Sequence, residues 1–152
     1  MEHALAVVDG NETAKQLVRE AGELAAGVGA TLTLLHVTTE DEYMDRRDQL
    51  AELTDYSLEY DVQRAQDGAK NYASNVAREV LDGVDVSTES VGALGDRAET
   101  ILEVAQEREC DHIFVAGRTR SPTGKALFGD ATQKVILEFD GPVTVITSEE
   151  VE

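Results

Sequence analysis

Cysteine is nearly missing from this chain: Cys110 stands alone in 152 residues. No internal disulfide can form, as is usual in a reducing compartment. Long apolar runs are missing too, and nothing approaches the roughly 18 residues that a membrane-spanning helix takes. Met1-Glu2-His3 leads straight into a strand-like run, without the charged and apolar regions of a signal peptide. These absences lead us to expect a cytoplasmic protein with no membrane partner. Basic residues are also few, 13 Lys plus Arg against 31 Asp plus Glu, for a net charge of −18. A phosphate backbone would be repelled, so nucleic acid is not an expected partner. The acids are spread over every segment. They fit either an acidic partner surface or adaptation to concentrated salt, where screening suppresses self-repulsion, and the even spread favours the second. A chain of this length forms one domain, residues 1–152, and buries enough surface to need no disulfide or metal for a core.

What is present alternates between two periods. Ala4–Val8, Thr31–Val37, Val84–Val91, His112–Ala116 and Val143–Ile146 read as strands. Thr13–Val28 carries apolar residues at helical spacing and stops at Gly29. Asp41–Leu81 reads as a mobile acidic entry followed by one or two helices, the last from about Asp67. Gly95-Asp96 caps a helix from Arg97 to about Glu109, and Asp130–Phe139 is a short helix. Five strands separated by four helical blocks predict an open, doubly wound α/β sheet. Ligands of such folds bind outside the C-terminal ends of the strands, where the strand order reverses. The residues that follow each strand therefore carry most of the functional information.

The segment after the fourth strand, Gly117 to Asp130, is the most informative. From Gly117 to Lys134 four basic residues face one acid, a local excess of positive charge in a strongly acidic chain. Glycine-rich backbone leading to a helix N-terminus suits an anion, since free N–H groups and the helix dipole point at it. The alternative is a solvated loop whose bases pair with the surrounding acids. A Walker A loop is excluded, because Ala126 follows Gly124-Lys125 where Ser or Thr is required. No strand is followed by the dinucleotide Gly-x-Gly-x-x-Gly pattern. Asp9 directly follows the first strand, where it can accept hydrogen bonds from a ribose or base, or simply make a turn with Gly10. Nothing reads as catalytic. The histidines are scattered, with His36 near the end of one strand and His112 at the start of another. Cys110 and His112 have no further metal ligands nearby, and no Gly-x-Ser-x-Gly nucleophile turn is present.

With these segments in place the chain resembles the universal stress protein family. The resemblance rests on Ala6-Val-Val-Asp9-Gly10, on Leu34-Leu-His-Val37, and on Gly95-Asp96-Arg-Ala-Glu99-Thr-Ile-Leu. It rests also on Gly117 through Gly129, followed by Gly141-Pro-Val-Thr-Val-Ile146. It implies strand order 3-2-1-4-5 and a homodimer through the fifth strand, Val143–Ile146, which would otherwise be an exposed apolar edge. It implies binding and interaction rather than turnover, so no enzyme activity is expected. It also implies an adenine-nucleotide pocket for ATP or AMP, with no metal beyond nucleotide-bound Mg. Val8, Asp9 and Val37 would form its base and ribose end. Gly117, Arg118, Arg120, Gly129, Asp130 and Thr132 would surround the phosphates. The chain departs from the ATP-binding pattern of Gly, two residues, Gly, nine residues, then Gly-Ser or Gly-Thr. Arg120 stands where the second glycine belongs, the following spacer is one residue short, and Asp130 replaces the hydroxyl residue. Asp130 adds repulsion of roughly 1–4 kcal/mol per phosphate charge at about 4 Å, depending on exposure. It is also a ready N-cap for the last helix. The alternative function is a nucleotide-independent interaction module whose acidic helices recruit a partner.

Overall fold

A computed structural model describes residues 1–9, 12–53, 62–117 and 129–147. Its elements run β1 (His3–Val7), α1 (Glu12–Val28), β2 (Thr31–Thr38), α2 (Glu40–Leu53), α3 (Val62–Val80) and β3 (Ser87–Leu94). They continue with α4 (Arg97–Glu107), β4 (His112–Ala116), α5 (Asp130–Glu138) and β5 (Val143–Ile146). The strands form one parallel sheet in the order β3-β2-β1-β4-β5, the expected doubly wound architecture. β1 is central, pairing His3 with Thr31 on one side and Ala4 with His112 on the other.

Side chains of a strand alternate between faces, and β1 divides its residues accordingly. Ala4, Ala6 and Val8 join α1, α3 and Phe114 in one core, whereas Leu5 and Val7 join Ala98, Ile101, Val104 and Val135 of α4 and α5 in the other. A sheet covered on both faces needs apolar residues on both, which is why Ala4–Val8 reads as an unbroken apolar run.

Three expectations are corrected. The acidic entry after β2 is a helix, α2, opened by a capping box. Glu42 Oε1 accepts from the Thr39 amide at 3.2 Å and from its hydroxyl at 2.9 Å, and the Glu42 amide donates back to Thr39 Oγ1 at 3.3 Å. Helix α3 begins at Val62 rather than near Asp67, because its inner stripe already starts with Ala65 and repeats at Ala69, Ala73 and Val76. Alanine contributes little to an apolar count, so the first turn is easily missed. Third, β3 lies three residues beyond Val84–Val91. Val84 and Val86 are apolar because they pack on the α1–α3 core just after a turn, which the Val84 amide closes on the Leu81 carbonyl at 2.9 Å.

The small residues of α3 have a counterpart across the interface. A methyl group at Gly92 of β3 would lie 2.2 Å from the Gln66 carbonyl oxygen and 2.3 Å from the Lys70 amide nitrogen. The helix backbone therefore rests directly on the strand.

Candidate functional site

The strand order reverses between β1 and β4, and there the C-terminal ends of the two strands open into a cleft of about 440 Å³. Val7 and Asp9 line it from β1, Val115, Ala116 and Gly117 from β4, and Arg97 and Ile101 from α4. Gly129, Asp130, Ala131 and Thr132 close it at the start of α5. Five of the expected site residues thus meet here: Asp9, Gly117, Gly129, Asp130 and Thr132.

Val8 and Val37 do not reach the cleft. Val8 is fully buried in the α1–α3 core. Its amide bonds the Leu35 carbonyl at 2.8 Å, and its carbonyl accepts from His36 Nδ1 at 2.6 Å. Val37 is buried in the opposite core beside Ala98 and Ile101. Both form packing beneath the site rather than its wall. Arg118 and Arg120 lie outside the described residues.

Asp9 is distinguished by its burial. Among the acidic residues whose exposure is described, every other one is exposed, whereas Asp9 is partly covered. It pairs with Arg97, a residue that the sequence did not bring forward as part of the site. Arg97 Nη1 lies 3.0 Å from both carboxylate oxygens of Asp9, and Nη2 reaches Glu42 Oε1 at 3.7 Å. Arg97 is the first residue of α4, where the positive end of the helix dipole disfavours a cation. That misplacement was the available signal, since an arginine at such a position calls for a carboxylate partner.

The two helix starts at the cleft differ. Helix α4 is capped by Asp96, whose Oδ2 accepts from the Glu99 amide at 3.0 Å. Helix α5 has Gly129 at its N-cap and no side-chain cap. Asp130 is therefore not the cap that the sequence suggests. It occupies the first helical position and is exposed, and among the described residues no side chain caps the first-turn amides of α5. Thr132 Oγ1 donates to the Ala116 carbonyl at 3.2 Å, tying α5 to the end of β4. Lys134 Nζ approaches Glu99 Oε1 at 3.5 Å and links α5 to α4 across the outer flank.

Other polar contacts among the described residues tie neighbouring strands together. His3 Nε2 and the buried Thr33 hydroxyl are 2.6 Å apart, and His112 Nε2 and the Thr144 hydroxyl 2.7 Å. Burial pushes the Cys110 thiol up to about 11, against a lowering hydrogen bond with Thr33. Such a thiol is a poor nucleophile. Among the described residues no cluster of His, Cys, Asp or Glu could hold a metal ion, and no helix is long and apolar enough to cross a membrane.

A parallel five-stranded sheet with a cleft at its switch point defines an open, doubly wound α/β protein. Residues 1–147 match the family model for the universal stress protein family, and the chain belongs to that family. Solved structures share its fold. A hypothetical protein that served as a test case of structural genomics aligns with TM-score 0.72 and 23% identity, over 99% of this chain and 98% of its own. A universal stress protein from Archaeoglobus fulgidus gives TM-score 0.65 and 23% identity over 96% and 98%. A third, a universal stress protein in complex with cAMP, gives TM-score 0.62 and 16% identity over 96% of each chain. At these identities the likeness speaks for the fold. A search of curated proteins gives no significant match.

Proposed function

We propose that this universal stress protein binds an adenine nucleotide, ATP or AMP, in the cleft between β1 and β4, and acts through that binding rather than through turnover. The observation that carries the reading is the meeting of Asp9 with the glycine-capped N-terminus of α5 across one cleft at the switch point. Asp9 keeps outer acceptor sites for a base or a single hydroxyl beside its Arg97 pair, and the α5 amides offer donors to a phosphate. Two neighbours of the same fold were solved with cAMP and with dAMP. The small side chains at Ala116, Gly117, Gly129 and Ala131 leave room for backbone contacts with the ligand. Among the described residues no histidine lines the cleft, and no general base faces it apart from the carboxylates of Asp9 and Asp130. Asp9 is already paired and Asp130 is exposed, which favours a binding role over hydrolysis.

The protein acts as a homodimer in the cytoplasm, in a salt-rich milieu. β5 is an edge strand whose four residues are only partly covered, which supports pairing with a second copy. The even distribution of exposed acids supports the salt-rich setting. Calorimetry with AMP and with ATP–Mg at high salt tests the ligand. Saturable heat is expected, and no heat up to millimolar nucleotide rejects the reading. Sedimentation equilibrium tests the dimer against the 16.5 kDa chain mass.

A second reading, a nucleotide-independent interaction module, draws on α2. From Glu40 to Gln49 every residue but Tyr43 is exposed, and acids outnumber bases. Partner capture indifferent to added nucleotide would favour it.

A further inference from the structure

We propose that Arg97 sets the sugar specificity of the cleft by occupying the edge of Asp9 that a ribose 2′,3′-diol would otherwise chelate. The inference rests on the adenine-nucleotide reading of the site.

Arg97 Nη1 is equidistant, at 3.0 Å, from Oδ1 and Oδ2 of Asp9. A nitrogen so placed lies in the plane that bisects the carboxylate and takes one lone pair of each oxygen. A vicinal diol that binds a carboxylate through both hydroxyls uses those same two lone pairs. An ionised carboxylate has about four acceptor sites, but the outer two diverge and cannot hold both hydroxyls of one diol. One guanidinium nitrogen thus fills the place of the diol.

The guanidinium is not readily displaced. Its other nitrogen is drawn toward Glu42 Oε1 at 3.7 Å, so two acids from different elements hold it. Its backbone is fixed at the start of α4 by the Asp96 cap. The side chains are also partly withdrawn from water, 34% exposed for Arg97 and 26% for Asp9. A charge-assisted pair of this kind outcompetes neutral hydroxyls, whose hydrogen bonds to the same carboxylate are matched by those they make to water. The sugar hydroxyls therefore gain little from Asp9 while Arg97 stays in place.

The test compares AMP with 2′-deoxy-AMP on the full chain, by calorimetry at one fixed high salt concentration. The two ligands carry the same phosphate, so any loss of guanidinium attraction cancels in their ratio. Wild type binds them within about threefold of each other. R97A frees the edge of Asp9 and shifts the ratio toward AMP by about tenfold, the scale of one net hydrogen bond to a partly exposed charged group. R97Q, which keeps most of the side chain's length, shifts the ratio in the same direction and serves if R97A does not fold. Adding D9N to either variant abolishes the gain. An unchanged ratio in a folded R97 variant that still binds AMP overturns the inference and leaves the nucleotide reading intact. So does a wild type that already prefers AMP by more than about tenfold. Failure of both nucleotides, and of ATP–Mg, to bind wild type and variants alike overturns the nucleotide reading itself.

Discussion

Gly92→Ala should destabilise the fold by about 3 kcal/mol, the upper end of the range for overpacking a close contact. The added methyl would sit 2.2 Å from the Gln66 carbonyl oxygen, 2.3 Å from the Lys70 amide nitrogen and 2.9 Å from the Ala69 carbonyl carbon. Ordinary contact begins near 3.4 Å, so α3 must retreat by about 1 Å from the sheet. All three atoms are backbone, and no rotamer change can relieve the clash. Retreat would also loosen Ala65, Ala69 and Ala73, which have too little side chain to fill the gap. For a chain of this size each kcal/mol moves the melting temperature by about 2–4 °C, which puts the loss at about 6–12 °C. Gly68→Ala is the matched control. Gly68 lies in the same helix, and a methyl there meets nothing within 4 Å. Alanine is the better helix former, so this variant should gain about 0.5–1 kcal/mol. Thermal and guanidinium unfolding followed by circular dichroism at constant salt reads both. A Gly92→Ala protein within about 0.5 kcal/mol of wild type would refute the direct seating of α3 on β3.

Removing the α4 cap by Asp96→Ala should cost about 1 kcal/mol, read by the same unfolding curves. Cys110 should resist iodoacetamide in the native state and react on unfolding, because burial keeps its thiol protonated; rapid native labelling would count against that burial. Burial also lowers His112 below its ordinary 6.5, with the Asp111 charge opposing. The unfolded chain then takes up the proton first, so stability rises with pH through this window. The contribution is complete above about pH 6.5 and is lost as pH falls toward the folded value. His112→Gln should flatten that slope in unfolding midpoints taken from about pH 5 to about pH 8.

Much of the fold was legible in the sequence where a single period dominated. The bounds of β4 and β5 fall where the apolar runs begin and end. Reading failed where side-chain character answered to something other than the local element. Val84 and Val86 look like strand residues because they face a core, yet they lie in the irregular stretch between a turn and β3. The early turns of α3 are signalled only by alanines. The site was legible as a place, since the residues after β1 and β4 do form the cleft. Its key interaction was not. Asp9 and Arg97 are 88 positions apart, and no periodicity connects them. The resemblance brought in Val8 and Val37 as base contacts, but alternation along β1 turns Val8 into the far core, and Val37 is sealed beneath Ala98 and Ile101.

Glu42 Oε1 is a shared acceptor. It takes the Thr39 amide and hydroxyl that start α2, and it also stands opposite Arg97 at the mouth of the cleft. Helix α2 shows no buried side chain among residues 40–49, so it has little apolar anchorage of its own there. One oxygen atom thus belongs to two structures at once, the beginning of a helix and the rim of a pocket. A mutational scan should score Glu42 with the cleft residues even though it does not line the cleft. Substitutions there should be less tolerated than at the neighbouring Glu40 and Asp41, which share its charge and exposure but not its position.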